Sequence, residues 1–148
     1  YQQITLGYNY RMTDIQASLG SSQIKNLDKF VKMRHKLAQH YNKALSDLPI
    51  TLPYQDASGY SSFHLYVIRV DSNVHKDLFT HLRDNNIGVN LHYIPIYRHP
   101  YYQTYNINYN NFSESELYYS EAISLPLYPS LGKREQDYVI NKLREYYE

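Results

Sequence analysis

The sequence predicts a mixed fold of the α+β class, α/β in the broad sense, in which helices surround a small sheet. Apolar residues recur at helical spacing over 26–46 and again over 133–147, and each of these two stretches indicates a helix. A third indicates the sheet, since 63–70 is rich in the aromatic and β-branched residues typical of strands. With a further strand expected from Val89, the predicted order is helix, helix, strand, helix, strand, helix, helix.

The first two helices are predicted from capping and from periodicity. Thr13 is a typical N-cap, and Gln16 three residues later completes a capping box. The residues that follow are small, which lets another backbone approach closely, although Gly20 weakens the helix. The second helix covers 26–46 and ends before Pro49. Its inward stripe consists of Leu27, Phe30, Val31, Leu37, Ala38, Tyr41 and Leu45.

The third helix and the second strand are predicted on either side of Gly88, which ends the helix. Asn73 is the expected N-cap of that helix. Its inward residues are Val74, Leu78, Phe79 and Leu82. In the strand, successive side chains point to opposite faces. One face carries Val89, Leu91 and Tyr93, and the other carries Asn90, His92 and Ile94.

The last third of the chain begins with a polar, tyrosine-rich stretch at 101–112, which we expect to be a surface excursion. Ser113 and Glu116 form a second possible capping box before a short helix, and Pro126 ends that element. The final helix is expected to cover 133–147.

Composition and charge exclude several classes of function. The formal net charge of +1 predicts neither nucleic-acid nor anionic-membrane partners. No apolar run approaches the ~20 residues that span a bilayer. The absence of cysteine excludes disulfides and thiolate chemistry, and it is compatible with the cytoplasmic location that we expect. No two of the seven histidines have the helical i, i+4 spacing of a metal pair, so no metal site is expected.

No catalytic residue is predicted within the chain. The phosphate-loop and nucleophile-elbow motifs are absent. The lysines lie in or beside the polar faces of predicted helices. A lysine that forms a Schiff base must be deprotonated, usually by burial or by a neighbouring cation, and no lysine position here suggests either.

One segment, 7–17, combines an amide, a guanidinium and aromatic rings directly before a capped helix. Such groups at a helix N-terminus can bind an anion. A structural turn in which Asn9 bonds to the local backbone explains the same residues. The excess of tyrosine, 19 against 4 phenylalanines, also has two explanations. It reflects either biased composition or a surface that stacks on rings and bonds to sugar hydroxyls.

Four motifs together resemble the DegT/DnrJ/EryC1/StrS sugar aminotransferases. The first reads GYNYRMTDIQASLG at 7–20, followed by QIK at 23–25 and LD at 27–28. The others are FHLY at 63–66, GVNLHYIP at 88–95 with Tyr101 and Tyr102, and SEAISLPL at 120–127. The match extends over essentially the whole chain. Within the family, the stretch around His92 looks most like the branch that makes UDP-4-amino-4,6-dideoxy-N-acetyl-β-L-altrosamine.

The resemblance implies the C-terminal part of a fold type I aminotransferase, which uses pyridoxal phosphate (PLP). It divides the chain into a linking segment with long helices at 1–48 and a small α+β domain at 49–148. The family's large domain carries the Schiff-base lysine, the aspartate paired to the pyridine nitrogen and the ring-stacking aromatic. We expect that domain to be absent from these 148 residues, which start at Tyr1 and should be inactive alone.

The resemblance also implies roles for four residues. Asn9 is expected to reach across a homodimer to the PLP phosphate of the neighbouring subunit. Arg11, expected in the same cross-subunit loop, would bind the substrate together with His92 and Tyr93. The whole enzyme would transfer an amino group from an amino acid, with glutamate as the expected donor, to a 4-keto sugar nucleotide.

Two other hypotheses remain at the level of sequence. The chain could be a free-standing module that binds sugars or single-stranded nucleic acid through its tyrosines. It could also be a structural or dimerisation domain that binds neither.

Overall fold

The computed structural model describes residues 7, 8 and 10–148, and it confirms a mixed fold of helices around a small sheet. The elements are α1 Asp14–Ile24, α2 Leu27–Ala44, β1 Tyr66–Arg69, α3 Ser72–Asp84, α4 Pro100–Gln103, α5 Ser113–Glu121, β2 Ala122–Leu125 and α6 Lys133–Tyr147. Two short 3-10 segments, Ile96–Arg98 and Tyr109–Phe112, flank α4.

The sheet consists of β1 and β2, which pair antiparallel with Tyr66 opposite Leu125. One further residue pairs on each outer edge. Thr51 bridges to Arg69 of β1, and Asn90 bridges to Ser124 of β2. The backbone pairing therefore places the segment after α3 against the outer edge of β2.

The core lies between the sheet and helices α2, α3 and α6. Its buried apolar residues include Leu45, Ile68, Leu78, Leu82, Ile123 and Leu143, each with no exposed surface. Two buried tyrosines form hydrogen bonds through their hydroxyls at the margin of this core. The Tyr41 hydroxyl donates to the Pro126 carbonyl at 3.0 Å, and the Tyr66 hydroxyl donates to Asn42 Oδ1 at 2.6 Å. Tyrosine can therefore fill apolar space here without leaving its hydroxyl unpaired.

Polar contacts join α6 to α2. Gln136 is 1% exposed, and its Nε2 donates to the Leu37 carbonyl at 2.8 Å. Arg144 donates to the Ala44 carbonyl at 2.9 Å and pairs with Asp47 at 2.5 Å. The last carbonyls of a helix have no hydrogen-bond donor within the helix. Arg144 supplies such a donor at the end of α2.

Helix α1 lacks buried residues. Its N-terminus is capped as predicted, since Thr13 Oγ1 accepts from the Gln16 amide and Gln16 Oε1 accepts from the Thr13 amide. Its apolar side chains are nonetheless open to solvent, with Ile15 83% exposed and Leu19 63% exposed. A helix with apolar residues distributed around its circumference is typical of the interior of a larger body.

Several sequence predictions are confirmed. The last helix covers Lys133–Tyr147, the range expected for it. The second helix is found at Leu27–Ala44, and Ala38 and Tyr41 of its predicted stripe are buried. Long amphipathic helices were therefore identified well from periodicity alone.

Other predictions were wrong. The N-cap of α3 is Asp71, not Asn73, because the Asp71 side chain accepts from the Asn73 amide. Ser113 makes no capping box, since it already lies in α5 and Glu116 pairs with Arg98 instead.

The second strand was also misplaced. The segment beginning at Val89 makes only the single bridge at Asn90, whereas the strand that pairs with β1 is Ala122–Leu125.

Candidate substrate site

Two of the predicted substrate residues, His92 and Tyr93, lie on the segment that pairs with β2. Asn90 and Ser124 exchange two backbone hydrogen bonds, with N–O distances of 3.3 and 2.8 Å. Two residues further along, His92 is half-buried beside Ser124, and Tyr93 is 68% exposed. The pairing thus fixes the backbone directly before a histidine and a tyrosine that reach the surface.

Three side chains form a hydrogen-bonded group here. His92 Nδ1 lies 2.8 Å from Ser124 Oγ, and Asn90 Nδ2 lies 3.4 Å from His92 Nε2. Ser124 is only 4% exposed, so the histidine is anchored to a buried hydroxyl. The rings of His92 and Tyr93 meet edge to face at 4.7 Å between centroids. The arrangement can offer a ligand both an imidazole nitrogen and an aromatic face.

Tyr93 also lines a shallow groove of about 520 Å³. Pro95, Ile96 and Tyr118 form apolar walls, and Glu114 and Ser115 supply polar groups. Apolar walls with a few polar groups are typical of sites for organic ligands.

A charged pair joins the two segments that line this groove, since Arg98 follows Tyr97 and Glu116 follows Ser115. Arg98 pairs with both carboxylate oxygens of Glu116, and its Nε–Oε1 distance is 2.9 Å. The guanidinium also lies over the rings of Tyr109 and Tyr119, at 5.7 and 5.3 Å from their centroids. The bond from Arg98 lowers the pKa of the Glu116 carboxyl, so this carboxylate stays ionised. These contacts tie the tyrosine-rich excursion to α5.

A larger groove of about 1130 Å³ lies elsewhere, between Asn86, Tyr128 and Tyr138. It contains none of the residues that the sequence assigned to substrate or cofactor. Size alone therefore does not locate the candidate site, and the smaller groove is the one that adjoins His92 and Tyr93.

Of the two N-terminal candidates, the structure describes only Arg11. Asn9 lies outside the described residues. Arg11 is exposed in the segment before α1, and among the described residues no hydrogen bond or ion pair joins it to His92 or Tyr93. The structure therefore brings together two of the four predicted residues.

The lysines do not offer a tether for a cofactor. Seven of the eight are exposed, and Lys142 is half-buried in α6. Lys142 pairs with Glu145 at 2.6 Å, and this bond raises the pKa of its ammonium group. A Schiff-base lysine needs the opposite shift.

Two further features are absent from the described residues. Between Gly7 and Glu148, with residue 9 left aside, no group of three His, Asp or Glu side chains could hold a metal ion. Over the same residues, no helix is long and apolar enough to cross a membrane.

Sequence reasoning missed the contacts that Ser124 and Asn90 make with His92. Both lie within motifs that carried the resemblance, at 120–127 and 88–95. Nothing in either motif alone signals that the two pair, because 34 residues separate them and the contact depends on the sheet. The Arg98–Glu116 pair was missed as well, since Glu116 had been assigned to a helix cap.

Several solved structures have the same fold. DesV of S. venezuelae superposes with a TM-score of 0.91 at 28% identity, covering 100% of this chain and 40% of DesV. The sugar aminotransferase Spr1654 of Streptococcus pneumoniae, described as putative and solved in a PLP-form, gives 0.88 at 26% identity, with 96% and 37% covered. The fold thus places the chain in the class of the aminotransferases, of which Spr1654 has been solved in a PLP-form.

The particular family follows from the sequence. Residues 1–144 match the model of the DegT/DnrJ/EryC1/StrS aminotransferase family, and the chain belongs to that family. The resemblance proposed from the four motifs is confirmed.

Two curated relatives indicate the range of the family. The spore coat polysaccharide biosynthesis protein SpsC of Bacillus subtilis is 36% identical over 98% of this chain and 39% of SpsC. The UDP-4-amino-4,6-dideoxy-N-acetyl-beta-L-altrosamine transaminase of Campylobacter jejuni is 29% identical over 95% of this chain and 38% of that enzyme. The chain thus spans about two fifths of the length of the relatives it matches.

Proposed function

We propose that this chain is the C-terminal part of a PLP-dependent aminotransferase that transfers an amino group from an amino acid, glutamate in the first instance, to a 4-keto sugar nucleotide. The observation that carries the proposal is the family match over residues 1–144. The amino-sugar and polysaccharide enzymes among the relatives support a role in surface polysaccharide or amino-sugar biosynthesis. Because of the similarity to the C. jejuni transaminase, the altrosamine named for that enzyme is one candidate product.

The division of labour follows from the chemistry of the residues present. PLP supplies the electron sink of amino transfer when it is bound. No lysine of this chain is buried, so we propose that the tethering lysine lies outside the 148 residues. The linking segment 1–48 would join that large domain to the small domain 49–148. The exposed apolar side chains of α1 are consistent with such a covering body.

We assign four contacts to the chain itself. Asn9 would bind the cofactor phosphate of the neighbouring subunit in a homodimer, because an amide can donate to phosphate oxygens. Arg11 from the same loop would pair with a charged group of the substrate. His92 would bond to the substrate, and the exposed ring of Tyr93 would pack on it. We place the enzyme in the cytoplasm, because a chain without cysteine has no disulfides and therefore requires no oxidising compartment.

The complete gene product provides the test. We expect it to bind PLP, with the visible absorption of the bound cofactor, and to convert a UDP-4-keto sugar and glutamate into an amino sugar detected by mass spectrometry. Asn9→Ala should lose PLP on dialysis, because one phosphate contact is removed. Asn110→Ala, an exposed amide in the excursion, should retain PLP like the unaltered enzyme.

Two results would contradict the proposal. One is full PLP retention by Asn9→Ala, which would remove the assigned role of the amide. The other is tight binding of UDP-sugars by the 148-residue chain alone together with no cofactor in the complete product. That pattern would favour the free-standing binding module instead.

A further inference from the structure

We propose that Asn90 and Ser124 are positioning residues that hold neutral His92 in the tautomer with its proton on Nδ1, so that Nε2 accepts a hydrogen bond from a hydroxyl or N–H of the substrate. The inference rests on the proposed function for the identity of the ligand. The tautomer itself rests only on contacts within this chain.

The orientation of the Asn90 amide is the first step. The Leu91 backbone N–H donates to Asn90 Oδ1 at 2.8 Å, so that atom is the carbonyl oxygen. The other terminal atom of the amide is then the nitrogen, which carries only donors. It is this nitrogen that lies 3.4 Å from His92 Nε2.

The tautomer follows from that orientation. A donor facing Nε2 requires a lone pair on Nε2, since two N–H groups would otherwise point at each other. In the neutral ring the proton is then on Nδ1. Nδ1 lies 2.8 Å from Ser124 Oγ, which can accept it. The two contacts therefore agree on one tautomer, opposite to the one that a free imidazole prefers.

The backbone keeps the three groups in register. Asn90 and Ser124 are direct partners across the edge of β2, with backbone N–O distances of 3.3 and 2.8 Å. Ser124 is buried at 4% exposure, and β2 is in turn paired with β1. The positions of both partners of His92 are thus set by the sheet.

The site should therefore prefer a ligand group that donates a hydrogen bond to His92 Nε2. The Asn90 contact to Nε2 is long and lies at an exposed residue, so a ligand donor can displace it. A lone pair on Nε2 suits a sugar hydroxyl or the N–H of an acetamido group. It does not suit a deprotonated phosphate oxygen, which can only accept.

Nitrogen-15 NMR of the histidine side chains in the 148-residue chain tests the tautomer directly. The His92 signals are assigned by their loss in His92→Gln. We expect the Nδ1–H tautomer in the unaltered chain. In Asn90→Ala and in Ser124→Ala the signals should move toward the Nε2–H form, whereas Asn110→Ala should leave them unchanged. The Nε2–H form in a folded, unaltered chain would overturn the inference. If Ser124→Ala fails to fold, Asn90→Ala alone decides, because Asn90 is exposed and its removal leaves no cavity.

Kinetics of the complete, PLP-loaded gene product separate positioning from general damage. Asn90→Ala should raise KM for the sugar nucleotide about fivefold with kcat nearly unchanged, which corresponds to roughly one weakened neutral hydrogen bond. An equal fall in kcat with KM unchanged would count against the role. If the complete product lacks aminotransferase activity, the proposed function fails while the NMR result still decides the tautomer.

Discussion

The tyrosine hydroxyls show how strongly the contribution of one polar atom to stability depends on whether it has a hydrogen-bond partner. Tyr41 and Tyr66 are fully buried and each donates a hydrogen bond. The Tyr147 hydroxyl is also buried, but it has no partner among the described residues. A buried hydroxyl without a partner costs stability, whereas a bonded one contributes to it. The same atom should therefore have opposite effects at different positions.

Removing these hydroxyls gives a paired prediction for the free energy of unfolding of the 148-residue chain. Tyr147→Phe should leave it unchanged or raise it by up to about 1 kcal/mol, because an unsatisfied polar atom is removed. Tyr66→Phe should lower it by about 1 kcal/mol, because Asn42 loses its donor. Urea unfolding followed by circular dichroism measures both. A clear loss of stability in Tyr147→Phe would mean that its hydroxyl has a partner.

At the residue scale, the sequence identified the candidate site only in part. His92 and Tyr93 were proposed from the family resemblance, and the structure places them together at the edge of β2. Ser124 could not be found in the same way. Its contact with His92 spans 32 residues and exists only because two distant segments pair. Local sequence patterns carry no record of such a pairing.

Among the helices, α1 and α3 differ in what their caps support. Both begin with a side-chain cap, Thr13 for α1 and Asp71 for α3. Helix α3 buries Leu78 and Leu82 in the core, whereas α1 buries none of its residues. An isolated helix of 11 residues is marginal in water. The energetic consequence of losing a cap should thus be local in one helix and global in the other.

Cap replacement tests this difference. Asp71→Ala should lower the free energy of unfolding of the 148-residue chain by about 1 kcal/mol, since α3 belongs to the cooperative core. Thr13→Ala should leave that value unchanged and increase the amide hydrogen exchange of α1 only. Exchange mass spectrometry and thermal unfolding report the two effects. A matching drop in melting temperature for both variants would contradict the assignment of α1 as an independent element.

The elements also reveal which patterns were informative. Helices α2 and α6 are long and amphipathic, so their limits followed closely from periodicity. β2 has four residues, all buried, and follows α5 without a break. A short apolar run of this kind cannot be assigned to strand or helix from periodicity alone. At α3, Asp71 and Asn73 are both good caps, and only the structure distinguishes between them.

For the molecule as a whole, buried tyrosines link stability to alkaline pH. Burial raises the pKa of Tyr147 from 10.0 to about 12, and the nearby Tyr146 and Asp71 add to the shift. Burial also raises the pKa of Tyr41 and of Tyr66 well above the usual value. In each case the folded state favours the protonated phenol. The corresponding stability is complete below the unfolded pKa and is lost as pH rises through the folded pKa.

The chain should accordingly lose stability between pH 10 and pH 12, and continue to do so above that range. Tyr147→Phe should make the decline between these two values shallower, because one raised pKa is removed. Urea unfolding at a series of pH values measures the slope, and the absorbance of tyrosinate at 295 nm follows ionisation. An identical slope in the variant would show that Tyr147 titrates alike in both states.

The guanidinium of Arg144 has a genetic consequence. It reaches from the last turn of α6 to the Ala44 carbonyl, 100 positions earlier in the chain. Deleting residues 144–148 from the gene would leave the end of α2 without this donor. Alleles that lose this short segment should therefore behave as folding defects.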